Sequence, residues 1–263
     1  MSTVTGERVS TDEGGFNPTF QRHRAAYRAA ATFLPEHGTT LDLGCGTGHS
    51  ADELAPRPTF GVDADPQALD DQPRPTFAAD MRRTPFEDDA FAGLVCIHAI
   101  EHVPDPERVA QEAARVLHPD GVAVFVTPNR LTFARPDEII DPYHDVELDP
   151  QQLRDVLATA FDEVELHGLF GAQPYLDIIA AERAELDRLL RKDPLRLRRL
   201  VPNRVKRALY DRRLRSARLQ GADPRAEAIT PADFFLQQTE LDACLDVFAV
   251  ARRPRADPAA ASR

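Results

Sequence analysis

The chain has 263 residues, of which 42% are hydrophobic and 29% charged. Such a composition buries enough apolar surface to offset chain entropy, which excludes wholesale disorder and a collagen-like structure. The formal net charge is -11, but residues 188–218 hold 13 Lys+Arg against only Asp193 and Asp211, so that segment carries 13 - 2 = +11 and the rest 19 - 41 = -22. No run approaches about 18 apolar residues, and the opening MSTVTGERVS lacks the basic-then-apolar pattern of a secretory signal, so the expected compartment is the cytoplasm. Cys45, Cys96 and Cys244 are too few and too scattered for a disulfide framework or zinc cluster and are read as free thiols.

Residues 1–17 are polar, contain Gly14 and Gly15, and are expected to form a loose tail, as are residues 254–263. From about Thr19, Phe20, Arg24, Tyr27, Ala31 and Leu34 recur at helical spacing, and Pro35 with Gly38 stops that helix. Strand-sized apolar runs follow at 39–44, 59–64, 76–80, 91–97, 121–128, 164–170 and 245–253. Between them lie the stretches HSADELA, PQALDD, DPERVAQEAARVL and DPQQLRDVLATAF, read as helical. In the last two, Val109, Ala113, Val116 and Leu117, and Leu153, Val156, Leu157 and Phe161, repeat with helical period. Asp105 precedes Pro106 as an expected N-cap. Strand alternating with helix predicts an α/β, doubly wound, mainly parallel sheet, with residues 18–173 and 233–253 as its core. Residues 174–232, rich in Arg and Leu and punctuated by Pro194, Pro202, Pro224 and Pro231, read as an inserted lid of several short helices, with Leu186, Leu189 and Leu190 on its apolar face.

The main chemical signal is LDLGCGTGHS, a strand ending in Gly44, Gly46 and Gly48. Glycines permit positive φ and close backbone approach, so a ligand can lie against the loop at the carboxyl edge of the sheet. The G-x-G-x-x-G spacing of dinucleotide folds is missed by one residue, and Asp42 stands just before the loop, where a carboxylate suits a cationic ligand group better than two phosphates. That argues against a nicotinamide-dependent reductase. Asp63 ends the second strand 19 positions after Gly44, a spacing suited to ribose hydroxyls, and Asp80 ends the third, where it would accept from an adenine amino group.

Read in order, LDLGCGTG, GVDADPQAL, AADM and AFAGLVCIHAIEHVPDPERVAQEAARVLHPDGVAVFVTPN resemble class I S-adenosylmethionine-dependent methyltransferases of the subgroup that includes ubiquinone-biosynthesis O-methyltransferases. The resemblance covers about residues 20–170 and 241–253 and implies a Rossmann-like sheet of seven strands, the last antiparallel. It implies that Gly44, Cys45, Gly46 and Gly48 cradle the methionine moiety, with Asp42 holding loop and ligand. Asp63 and Ala64 would meet the ribose, and Asp80 with Met81 the adenine. Ala92-Gly93 stands where the family has an Asp in its fourth strand.

Methyl transfer from a sulfonium to oxygen is an in-line displacement that needs an aligned nucleophile and a destination for its proton. His98, Glu101, His102 and His144 are the candidates. The segment CIHAIEH resembles the E-x-x-E-H pattern with which small-RNA 2'-O-methyltransferases bind a divalent cation, with His98 in place of the first Glu. Three His and one carboxylate would suit an ion softer than magnesium. A metal-free His base, and proximity without a dedicated base, are the alternatives. His23, His37, His49, His118 and His167 are read as surface or packing residues. The basic insertion is read as a solvated face, as a site for an anionic small molecule, glycan or lipid headgroup, or as an RNA contact, the last disfavoured for want of interleaved aromatics. The reading is an S-adenosylmethionine-dependent O-methyltransferase acting on a small molecule, glycan or natural-product intermediate. An RNA or lipid-headgroup methyltransferase, with membrane contact at most peripheral, and a non-catalytic regulatory module are the rivals.

Overall fold

The computed structural model describes residues 16–133, 141–191, 201–220 and 224–255. Helix α1 (Asn17–Ala31) leads to β1 (Thr40–Leu43), β2 (Thr59–Asp63), β3 (Thr76–Ala78), β4 (Phe91–Ile97), α2 (Pro106–Val116) and β5 (Leu117–Pro128). There follow α3 (Arg130–Phe133), α4 (Pro150–Ala158), β6 (Phe161–Gly171), α5 (Gln173–Leu190), α6 (Asn203–Gln220), α7 (Pro224–Glu227), β7 (Phe234–Gln237) and β8 (Asp246–Pro254). The strands form one sheet in the order β3-β2-β1-β4-β5-β8-β6-β7. Pairing from β3 to β5 is parallel, and β8 runs antiparallel to both β5 and β6. The expected doubly wound sheet is therefore present. It has eight strands instead of seven, because the short β7 adds an edge.

The central strands are largely buried and dominated by apolar residues, with Asp42 in β1 and Asp246 in β8 as buried polar exceptions. Helix α2 puts Val109, Ala110, Ala113 and Val116 into the core. Asp105 does not cap it through its side chain, which instead pairs with Arg82 and Arg108. In α4, Asp149 and Gln152 form a reciprocal capping box over the first turn. The stretches after β1 and β2 form only 3-10 turns, Ala51–Leu54 and Pro66–Ala68. Pro56 and Pro58, and Pro73 and Pro75, deny each the room to continue as a helix.

By internal contacts the chain divides into two units. The larger comprises His23–Ile140, His144–Phe170 and Leu236–Arg263 and contains the sheet core. The smaller comprises the chain up to Arg22, Asp141–Tyr143 and Gly171–Phe235. Its helices α5 and α6 have 18 residues each, longer than the short helices expected. Within it, the Asn17 side-chain amide donates to the Ala226 and Ile229 carbonyls, and Tyr143 and Tyr210 donate to Asp211 and Asp141. Phe16 and Asn17, expected to belong to the loose tail, are buried. At the other end β8 runs to Pro254. The side chains of Leu186, Leu189 and Leu190, and the basic stretch 192–200, lie outside the described residues. No described helix is long and apolar enough to cross a membrane.

Candidate active site

Strand order reverses between β1 and β4: the chain winds outward through β2 and β3, then returns to β4 on the other side of β1. In such sheets the crevice beyond the carboxyl ends of the two central strands binds the ligand. Gly44–Gly48 leaves β1 there, and His98 leaves β4 beside it.

Gly44, Gly46 and Gly48 all have φ in the left-handed region, at 78°, 53° and 69°. A Cβ on Gly44 would lie 2.4 Å from the Ala99 Cβ and 3.3 Å from the Met81 Cε, so this glycine allows the β1 and β4 ends to touch. Gly46 differs, since a Cβ there would meet nothing within 4 Å. The loop is thus backed by protein at one glycine and open at the next, which is the cradle a ligand lying against the backbone requires. Asp63 fixes its shape, with one carboxylate oxygen accepting from the Gly46 amide at 2.9 Å and the other from the Asp65 amide at 2.9 Å.

Asp42 is fully buried and meets a cation of the chain's own: Arg74 donates to Oδ2 at 2.7 Å while the Tyr27 hydroxyl donates to Oδ1 at 2.9 Å. Burial pushes the Asp42 carboxyl upward, and Arg74 opposes that shift. Burial and the neighbouring Asp42 push the Cys45 thiol up to about 12. Gln72 crosses the loop and donates to the Gly46 carbonyl at 2.8 Å. Asp80, half exposed, is held below the usual carboxylate range by its bonds from Arg82. Ala64 is exposed next to Asp63.

The second cluster forms at the turn after β4. The Asp145 and Val146 amides donate to the Glu101 carbonyl, and this brings His144 beside His102, ring centroids 5.3 Å apart. Ligand atoms of Glu101, His102 and His144 all lie within 4.8 Å of one another. Thr127 donates to the Glu101 carboxylate at 3.0 Å and orients it. His98, expected as a fourth member, stands outside this group. Its Nε2 lies 3.1 Å from Asp246 Oδ1, and its ring makes an edge contact with His23. Two elements bring residues there that the sequence reading set aside. His23 comes from α1, and His49 follows the glycine loop and packs 4.8 Å from His23. His167 is a packing residue, between Phe33 and Phe248.

Strand order, switch point and glycine cradle together define the Rossmann-like fold of class I S-adenosylmethionine-dependent methyltransferases. Comparison with known proteins agrees. Residues 41–125 match a family model described as a methyltransferase domain. A "Probable S-adenosylmethionine-dependent methyltransferase" of Mycobacterium tuberculosis is 34% identical over 177 residues, covering 64% of each chain. The chain thus spans just under two thirds of the length of that curated relative. A ubiquinone biosynthesis O-methyltransferase of Actinobacillus pleuropneumoniae is 32% identical over 106 residues, 34% of this chain and 45% of that protein. Among solved structures, a Thermotoga maritima S-adenosylmethionine-dependent methyltransferase, described as a "possible histamine N-methyltransferase", superposes with a TM-score of 0.59 at 16% identity. It covers 90% of this chain and 94% of that one, a likeness of fold.

Proposed function

We propose that the protein transfers a methyl group from S-adenosylmethionine to an oxygen of a small-molecule acceptor. The observation that carries this reading is the convergence, at one switch point, of an open glycine cradle and a group of acid-base side chains, Glu101, His102 and His144. S-adenosylmethionine, when bound, supplies an electrophilic sulfonium methyl. The chain's own part is to hold it with the Gly44–Gly48 backbone, Asp63 and the Asp80–Met81 segment, to align the acceptor and to receive its proton. Two His and one carboxylate form a donor set that fits a divalent ion such as manganese, cobalt or zinc better than magnesium. Such an ion would be held by Glu101, His102 and His144 and would polarise an acceptor hydroxyl. The Arg-rich 188–218 segment supports an anionic acceptor, since guanidinium groups pair well with carboxylate or phosphate.

The experiment is transfer of labelled methyl from S-adenosylmethionine to a panel of phenols, aliphatic alcohols and amines, with and without anionic substituents. Label on hydroxyl acceptors supports the reading, whereas label confined to amines refutes it.

A further inference from the structure

Asp246 opens β8 directly before the apolar run 247–251, and its side chain is fully buried. Because β8 is antiparallel, its first residue lies at the carboxyl edge of β5, opposite Pro128. That is the edge on which β4 ends. His98 follows β4 directly, with its amide bonded to the Val126 carbonyl and φ of 50°. A bulky non-glycine residue in the left-handed region costs about 1–3 kcal/mol and persists where the surroundings over-determine it, typically at functional sites. The next residue, Ala99, is the one on which Gly44 closes, so His98 is anchored against the cradle. Asp246 holds one end of its ring, while His23 from α1 makes an edge contact with it and His49, after the glycine loop, packs on His23. Burial, with Arg24 and His98, lowers His49 to about 4, so it is neutral at physiological pH.

Resting on the O-methylation reading above, we propose that Asp246 is a positioning residue: it keeps the His98 ring proton on Nε2 and leaves Nδ1 as the acceptor for the substrate proton. A carboxylate accepts only, so a neutral imidazole facing it through Nε2 must donate from that atom. In the transfer, the hydroxyl proton passes to His98 Nδ1 as its oxygen forms the bond to the methyl carbon. The carbon–sulfur electron pair returns to sulfur, giving the neutral thioether S-adenosylhomocysteine. The imidazolium is stabilised by the Asp246 carboxylate and then releases its proton to water.

The test is long-range proton–nitrogen correlation NMR of the full chain with labelled histidine, the His98 signals being assigned by their loss in His98→Asn. The expected result is an Nε2–H tautomer in the wild type and loss of that single tautomer in Asp246→Ala, or in the similarly sized Asp246→Leu, which also lacks an acceptor, should the alanine variant not fold. An Nδ1–H tautomer in the wild type, or an unchanged one in the folded Asp246 variant, overturns the assignment. In the transfer assay, the Asp246 variant should lose about 10- to 100-fold in kcat with KM and S-adenosylhomocysteine affinity unchanged. His98→Gly, which suits the positive φ, should regain turnover with added imidazole. Wild-type transfer to amines alone, with the tautomer as expected, refutes O-methylation and leaves the positioning of His98 by Asp246 standing. Transfer to hydroxyls with an unaffected Asp246 variant refutes the positioning alone.

Discussion

Gly44 and Gly46 share a left-handed backbone but face different surroundings, so alanine at each should separate folding from binding. At either position the positive φ costs an L-residue about 1–2 kcal/mol. At Gly44 the new Cβ would also sit 2.4 Å from the Ala99 Cβ, where neither partner is a flexible chain end. Overpacking of that kind adds about 1–3 kcal/mol, for a total of about 2–5 kcal/mol. At Gly46 there is no second contribution, because nothing lies within 4 Å of the Cβ. Gly46→Ala should therefore unfold only about 2–8 °C earlier than the wild type, at about 2–4 °C per kcal/mol. Yet it fills the space in which the ligand's backbone contact is expected. Differential scanning calorimetry and titration with S-adenosylhomocysteine measure the two effects. The expected pattern is a large loss of stability for Gly44→Ala, and for Gly46→Ala a small loss with at least about tenfold weaker binding, equivalent to about 1.4 kcal/mol. Wild-type affinity in Gly46→Ala would refute the cradle.

Asp63→Ala releases the Gly46 and Asp65 amides together and should weaken S-adenosylhomocysteine binding while leaving the sheet core intact, as read by titration and circular dichroism. Cobalt(II) added to the protein should give the visible absorption of a His-carboxylate site, and His144→Ala should weaken it by more than about tenfold; an identical spectrum and affinity in the variant would exclude the Glu101–His102–His144 group. Burial alone would raise Glu112, but bonds from Arg115 and Thr84 hold it below its usual range. Its stabilisation is therefore present above the ordinary glutamate pKa and lost as pH falls through the lowered folded value. Glu112→Gln should destabilise by about 1–3 kcal/mol at pH 7 in urea unfolding, with the gap closing in acid. Cys45 and Cys244, both pushed up to about 12 chiefly by burial, should resist iodoacetamide in the native protein at pH 7.5 and react once it is unfolded.

The sheet core was legible because its signals are local. Each buried strand is a short apolar run, and α2 and α4 repeat Val, Leu and Ala with helical period. The conformation of the glycine loop was legible too, since alternating glycines at a strand end mark a turn with positive φ. What escaped was set by proximity across the sheet. Tyr27 and Arg74 reach Asp42 from positions 15 and 32 residues away, and Asp246 reaches His98 across 148 residues through the register of an antiparallel strand. One signal was available: an Asp at the head of the apolar run VFAVA asks for a buried partner. His23 and His49 carried no such mark, because a histidine on a helix or after a loop is ordinary until a third ring packs against it. The helices expected after β1 and β2 failed for a reason visible in the chain, the prolines that follow within a few residues.

The central claim is that the β1–β4 switch point is an S-adenosylmethionine site. Isothermal titration of the purified chain with S-adenosylmethionine tests it most directly, with NADH as the competing ligand class. The account predicts saturable one-to-one binding that S-adenosylhomocysteine displaces and Asp63→Ala weakens, with no heat from NADH. Binding of NADH without binding of S-adenosylmethionine would contradict it.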